Sequence, residues 1–233
     1  MNTSDSAQHP GSSQAAGTIL IAGAGRGLGL ALAEEFLHKG WHVIGTVRPG
    51  TSRTGLHDLA DSAGGQVEIE TLDVNEPEQI AALRSRLTGR TLDILFVNAG
   101  TTTADEHVHI GNVSTEEFTR VMITNALSPM RVIESLQDLV PAAGVIGAMS
   151  SGQGSIANNE TGMREVYRGS KAALNMFMRS FAARQPAPAH DAGPGARLGP
   201  HRTGRAGRAA HHRRQHSRPG QRHALPAGDS RPA

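Results

Sequence analysis

Residues 18–29, with the sequence TILIAGAGRGLG, decide the fold of this chain. The run Thr18–Ala22 is short, apolar and rich in β-branched residues, which predicts a buried strand. Apolar residues then recur at helical spacing over 28–38, which predicts a helix. Four glycines at alternate positions lie between the two: Gly23, Gly25, Gly27 and Gly29. A glycine-rich turn from strand to helix aims backbone N–H groups and a helix N-terminus at a phosphate, which favours a phosphate-binding turn over a merely structural one.

Strands and helices go on alternating beyond this first pair. We predict further strands at 41–47, 66–72, 92–97 and 144–149, and further helices at 76–87, 115–140 and 164–183. The strands are continuous apolar runs, which is typical of a parallel sheet buried on both faces. Right-handed crossovers then give an α/β fold, a Rossmann-type doubly wound parallel sheet in the order 3-2-1-4-5.

Composition divides the chain into three parts. Residues 1–17 are polar and predict a flexible lead, and 18–185 form the predicted Rossmann-type domain. Residues 186–233 hold nine of the 23 Lys+Arg, with seven Pro, seven Gly, six His and only two large apolar residues. Such a segment cannot bury enough apolar surface to offset the conformational entropy that it would lose on folding, so we predict a disordered basic tail. A shift of the reading frame near residues 186–190 in a GC-rich gene explains that composition; a natural basic interaction segment is the alternative.

The same composition narrows the location and the partners. The chain has no cysteine, no apolar stretch that would span a membrane and no apolar signal segment near Met1, so we expect a cytoplasmic protein. Its basic charge is concentrated in the tail, so no specific nucleic-acid partner is expected. His107 and His109 are two residues apart beside Asp105 and Glu106, which is too little for a metal site, and we expect no metal.

The second strand predicts which dinucleotide is bound. NAD-binding folds of this kind carry an acidic residue at the end of that strand. Here the strand ends in Arg48, and Arg26 lies inside the glycine turn. Either guanidinium can pair with a 2′-phosphate, which favours NADP over NAD. The alternative is that both are solvated surface arginines.

A tyrosine and a lysine stand four residues apart in the last predicted helix. At this spacing Tyr167 and Lys171 share one face of the helix. A phenol titrates near pH 10 in water, and a neighbouring ammonium favours its charged form. Tyr167, the only tyrosine in the chain, is therefore a candidate to protonate a carbonyl oxygen while hydride arrives at the carbon.

Taken together, these motifs resemble the short-chain dehydrogenase/reductase family over about residues 18–184. The glycine turn matches the family's GxxxGxG at Gly23, Gly27 and Gly29, although Ala22 stands where a Thr is usual. Further matches follow in the family's order: Asp73 with Val74, Asn98-Ala99-Gly100, Asn125, Ser151, and Tyr167 with Lys171. With the two arginines, the cofactor-binding residues are Gly23, Arg26, Gly27, Leu28, Gly29, Arg48, Asp73, Val74, Asn98, Ala99, Gly100, Tyr167 and Lys171.

The resemblance also implies catalytic roles. Tyr167 would donate the proton, Lys171 would hold the nicotinamide ribose, Ser151 would hydrogen-bond the substrate oxygen, and Asn125 would position a water in a proton relay. The gap between Ser151 and Tyr167 is a few residues longer than is usual in the family, so Ser150 remains an alternative. The stretch 150–175 is similar to the branch that contains C-factor-like and sniffer-like carbonyl reductases.

The family's last strands are not recognisable in this sequence. Relatives continue with a sixth strand, a Pro-Gly turn, a substrate loop and a seventh strand, whereas the tail contains no apolar strand. We therefore expect an oxidoreductase that reduces a small-molecule carbonyl with NADPH, or oxidises the alcohol in reverse, with an activity impaired by this C-terminus. A non-catalytic relative that binds a dinucleotide or a partner is the alternative. The long helices offer a surface for a homodimer, and the sequence does not indicate the substrate.

Overall fold

Five strands and six α-helices alternate through residues 15–185, the part of the chain that the computed structural model describes. The predicted tail and most of the predicted N-terminal lead lie outside these residues. In chain order the elements are β1 (Thr18–Ala22), α1 (Gly27–His38), β2 (His42–Val47), α2 (Gly55–Ser62), β3 (Val67–Thr71), α3 (Pro77–Arg86), β4 (Ile94–Val97), α4 (Thr115–Met122), α5 (Ser128–Leu136), β5 (Val145–Ala148) and α6 (Glu165–Arg184).

All five strands are parallel and lie in the order β3-β2-β1-β4-β5. The predicted Rossmann-type sheet and its order 3-2-1-4-5 are therefore confirmed. In the register of the sheet, Ile19 of β1 pairs with Val43 of β2 on one side and with Ile94 of β4 on the other. Within the described residues β5 is an edge strand, and Val145 at its start is 57% exposed.

Helices cover both faces of the sheet. On one face, α3, α5 and α6 bury Leu83, Ile133 and Leu174 against the strands. On the other face, α1 and α2 bury Ala33 and Leu56. Because the inner strands β1 and β2 are covered on both sides, they need apolar residues at successive positions, which is the pattern that the sequence shows.

Two features of the helices differ from the sequence analysis. Helix α2, Gly55–Ser62, was not predicted because it is short and only Leu56 in it is buried. The predicted single helix over 115–140 is interrupted by a π-helical turn, Ile123–Leu127, and ends in a 3-10 turn, Gln137–Leu139. Pro129 gives a physical reason for the interruption, because it has no N–H to donate four residues back and its ring clashes there.

Candidate active site

The glycine turn is held at the carboxyl end of β1 by close backbone packing. Gly23 has a φ of +91°, which favours glycine, and its carbonyl oxygen accepts a hydrogen bond from Asn98 Nδ2 at 2.8 Å. A Cβ on Gly29 would lie 2.1 Å from that same carbonyl oxygen. The first turn of α1 can therefore approach the end of β1 only because residue 29 has no side chain.

A cavity of about 570 Å³ opens from this turn along the carboxyl ends of β2, β3 and β4. Asp73 lines it beyond β3, where its carboxylate accepts a hydrogen bond from the Asn75 backbone N–H at 2.9 Å. Arg26 and Arg48 line it as exposed side chains. Most of the predicted cofactor residues lie along this cavity: Gly23, Arg26, Arg48, Asp73, Val74, Asn98, Ala99 and Gly100.

A second cleft, of about 390 Å³, adjoins the cavity, because Asn98, Gly100 and Thr101 line both. Tyr167 and Lys171 line this cleft together with Leu28. The structure thus places the predicted proton donor and its lysine in a cleft continuous with the glycine-turn cavity. Such an arrangement suits a ligand that extends from the glycine turn to the tyrosine.

Lys171 is a buried cation beside Tyr167. Its Nζ lies 5.8 Å from the centroid of the Tyr167 ring and donates a hydrogen bond to the Met149 backbone oxygen at 2.8 Å. The lysine is only 4% exposed, and this burial lowers its pKa below the ordinary value. A Cβ on Gly100 would lie 3.5 Å from Nζ, so the glycine keeps the space beside the ammonium open.

Asn125 lies in the π-helical turn and is completely buried. Its Oδ1 accepts from the Thr101 backbone N–H at 2.8 Å, and its Nδ2 donates to the Thr101 carbonyl oxygen at 2.8 Å and to Ser170 Oγ at 2.9 Å. Ser170 Oγ in turn donates to the Tyr167 backbone oxygen at 2.7 Å. The side chain thus joins the segment after β4 to the helix that carries Tyr167, and the water-positioning role stays a prediction.

Two serines follow β5 and have different partners. Ser151 Oγ accepts from the Gln153 backbone N–H at 3.1 Å and begins a short 3-10 turn, Gly152–Gly154. Ser150 Oγ donates to Asn175 Oδ1 at 2.5 Å. Neither serine is among the residues that line the Tyr167 cleft. The substrate-binding role of Ser151, and Ser150 as its alternative, therefore remain predictions.

Two arginines near the clefts were missed by the sequence analysis. Arg120 of α4 donates to Thr101 Oγ1 and to the Thr102 carbonyl oxygen, each at 2.8 Å, and lines the glycine-turn cavity. Arg164 precedes α6, lines the Tyr167 cleft and forms an ion pair with Glu106. The partners in both contacts are far apart in the sequence, so no local sequence pattern predicts these contacts.

The residues along the two clefts fit an NADP molecule. Gly27 has a φ of +58°, and among the described residues no atom lies within 4 Å of a Cβ built on it, which leaves room for a phosphate at the start of α1. Arg26 and Arg48 supply cations at the same end, and Lys171 supplies one at the other end. The donor set thus suits a polyanionic dinucleotide.

Comparison with known proteins identifies the family. The sequence profile described as "Enoyl-(Acyl carrier protein) reductase" matches residues 23–187. A 1-hydroxy-2-glutathionyl-2-methyl-3-butene dehydrogenase of Rhodococcus sp. (strain AD45) is 32% identical over 167 residues, covering 70% of this chain and 69% of that protein. An NADPH-dependent pterin aldehyde reductase of Arabidopsis thaliana is 31% identical over 172 residues, covering 72% and 69%. The chain belongs to the short-chain dehydrogenase/reductase family of oxidoreductases.

Solved structures agree with this assignment. A short-chain dehydrogenase/reductase from Burkholderia multivorans, solved with bound NADP, is 65% identical with a TM-score of 0.71, covering 72% of this chain and 73% of that one. A carbonyl reductase from Pseudomonas aeruginosa PAO1 in complex with NADP is 34% identical with a TM-score of 0.68, covering 72% and 76%. The carbonyl reductase Sniffer of D. melanogaster is 27% identical with a TM-score of 0.62, covering 72% and 74%. The predicted resemblance to carbonyl reductases of this family is confirmed.

Among the described residues, no helix has both the length and the hydropathy needed to cross a membrane.

Proposed function

We propose that this protein is an NADPH-dependent reductase of small-molecule carbonyl compounds. The observation that carries the proposal is the placement of Tyr167 and Lys171 in a cleft that is continuous with the glycine-turn cavity. The similarity to carbonyl reductases solved with NADP supports it. The same residues would run the reverse oxidation of an alcohol. The non-catalytic alternative gains no support from the proteins compared above or from residues 15–185.

The chain's own residues would bind and orient the cofactor and the substrate, and one of them would protonate the substrate. Bound NADPH would supply a hydride, and with it two electrons, to the carbonyl carbon. Tyr167 Oη then gives its proton to the resulting alkoxide oxygen, which completes the alcohol. Lys171 would hold the ribose, and its ammonium would favour the negative charge left on the tyrosine. Ser151 would hydrogen-bond the carbonyl oxygen, and Asn125 would position a water that returns a proton to Tyr167.

The preference for NADP over NAD rests on Arg48 and Arg26. Both are exposed at the cavity, and neither forms a salt bridge or a side-chain hydrogen bond within the described part of the chain. Neither guanidinium therefore has to give up a partner there in order to pair with a 2′-phosphate. A charge-assisted contact of this kind contributes about 1.5–3 kcal/mol.

Calorimetric titration with NADP and NAD tests this preference. We expect the unmodified chain to bind NADP more tightly, and Arg48→Ala to lose about 1–3 kcal/mol of that preference while its affinity for NAD stays nearly constant. Arg131→Ala is the matched control, because Arg131 is exposed on α5 and is not among the residues that line the cavity. Equal binding of NADP and NAD by the unmodified chain would contradict the proposal.

The partner and the location remain proposals as well. A homodimer through the long helices is supported by apolar side chains exposed on α4 and α6, Phe118 at 40%, Met176 at 64% and Phe177 at 43%. The cytoplasmic location also stays a prediction.

A further inference from the structure

Arg164 is held in an unusual backbone conformation at the mouth of the Tyr167 cleft. Its φ is +59° and its ψ is +41°, and it is the only residue other than glycine with a positive φ in residues 15–185. For an L-residue other than glycine, this left-handed conformation costs about 1–2 kcal/mol. Strain of this kind persists where the surrounding structure requires it, which is frequent at ligand-binding positions.

Glu106 fixes the arginine in place. The Arg164 backbone N–H donates to the Glu106 carbonyl oxygen at 3.2 Å, and the guanidinium Nη2 donates to the Glu106 carboxylate. The guanidinium carbon lies 5.9 Å from the centroid of the Tyr167 ring. The arginine is therefore oriented over the side chain that would protonate the substrate, and it has little freedom to turn away.

Most of the hydrogen-bonding capacity of Arg164 is unused. A guanidinium has five N–H donors. The bond to Glu106 is the only side-chain hydrogen bond that Arg164 forms with another described residue. Four donors thus remain for a ligand, and the arginine can keep its contact with Glu106 while it binds a second anion.

The charges that line the cleft favour an anion. Its lining includes two cations, Arg164 and Lys171, and no carboxylate. Lys171 is bound to the Met149 carbonyl oxygen and, in the proposed function, to the ribose. Arg164 is 34% exposed at its side chain and is therefore the cation that a substrate can reach.

We propose that Arg164 binds a carboxylate of the substrate, so that the preferred substrates are oxo acids. The planar fork of the guanidinium matches the two oxygens of a carboxylate. Because the guanidinium lies close to the Tyr167 ring, the carboxylate must stand within a few bonds of the reacting carbonyl. This inference rests on the proposed reduction of carbonyls and adds the substrate class.

A pair of probes that differ in charge tests the inference. Phenylglyoxylate and its methyl ester carry the same ketone, but only the first is an anion. Each is titrated calorimetrically into the full chain saturated with NADP⁺. We expect the anion to bind about tenfold or more tightly than the ester, since a charge-assisted contact is worth at least that factor.

Three variants separate anion binding from a structural role. Arg164→Gln should remove the preference, so that the anion and the ester bind equally. Glu106→Gln should increase the preference severalfold, because the Glu106 carboxylate no longer repels the bound anion. Arg179→Gln is the control; this arginine is exposed on the same helix and should leave the preference unchanged. A purely structural role predicts instead that Arg164→Gln and Glu106→Gln weaken both probes alike, and that outcome overturns the inference.

The remaining outcomes are also decisive. Equal binding of the two probes by the unmodified chain, or binding of neither, overturns the role of Arg164. Turnover of neutral aldehydes with NADPH, measured beside the titrations, then shows whether the proposed reductase function stands without it. Conversely, the chain could prefer the anion in a way that depends on Arg164 and yet turn over no carbonyl compound. That result would support the anion site at Arg164 and refute the proposed reductase function.

Discussion

Gly29 is the residue on which the packing of the glycine turn depends most directly. A Cβ there would overlap the Gly23 carbonyl oxygen and lie 2.6 Å from Asn98 Nδ2. Neither group can retreat easily, because the first is backbone and the second is hydrogen-bonded to it. The smallest possible side chain is therefore already too large at this position.

We predict that Gly29→Ala lowers the free energy of unfolding by about 1–3 kcal/mol, because the added methyl overpacks the turn. Urea unfolding followed by circular dichroism measures the change. Gly169→Ala is the matched control, since no described atom lies within 4 Å of a Cβ there and alanine favours the interior of α6 by about 0.5–1 kcal/mol. An unchanged midpoint for Gly29→Ala would show that the turn can relax.

At the scale of elements, the π-helical turn between α4 and α5 brings the two halves of the active site together. Its buried Asn125 is hydrogen-bonded to Thr101 after β4 and to Ser170 in α6. The position of Tyr167 thus depends on a turn in a different helix, through two hydrogen bonds in series.

Asn125→Ala should cost about 2–3 kcal/mol of folding free energy, because the buried partners of the amide lose their hydrogen bonds. It should also lower turnover. Asn112→Ala, at an exposed position, should change stability by no more than about 0.5 kcal/mol in the same unfolding experiment. Wild-type stability in Asn125→Ala would mean that this network does not hold the two segments together.

The inner strands β1 and β2 could be predicted from sequence because they are buried on both faces, which imposes a continuous apolar run such as TILIA in β1. Helix α2 was missed because it is short and only Leu56 in it is fully buried, although Leu56, Leu59, Ala60 and Ala63 recur at helical spacing. The π-helical turn was also missed, although Pro129 was a local signal for it. Arg164 and its pairing with Glu106 depend on tertiary contact across 58 positions, which no local pattern encodes.

At the scale of the whole molecule, the clefts form where the carboxyl ends of the strands meet beside the point at which the strand order reverses. Strands β1 and β4 are adjacent there, and Asn98 after β4 is hydrogen-bonded to Gly23 of the glycine turn after β1. A doubly wound sheet binds ligands at this kind of position. The sequence predicted the glycine turn directly after β1, while the cation over Tyr167 required the folded structure.

The tail, residues 186–233, gives a prediction that can be tested at the level of the gene. The family match ends at residue 187, close to the change in composition, and the frame shift remains a prediction. A one-base insertion or deletion near codon 186 should open a frame with an apolar strand, a Pro-Gly turn, and a further helix and strand. In the chain as it stands, amide exchange beyond residue 186 should be as fast as in an unstructured peptide. A gene without such a frame, or protected amides in the tail, would contradict the prediction.

The measurement that tests the central claim most directly compares the unmodified chain with Tyr167→Phe. NADPH consumption in the presence of carbonyl substrates, with calorimetry of NADP binding beside it, separates chemistry from binding. We predict turnover by the unmodified chain, a loss of about 10²–10⁴-fold in Tyr167→Phe, and nearly equal NADP affinity for both, because only the hydroxyl takes part in proton transfer. Full turnover by Tyr167→Phe, or no consumption of NADPH by the unmodified chain with any carbonyl, would contradict the account.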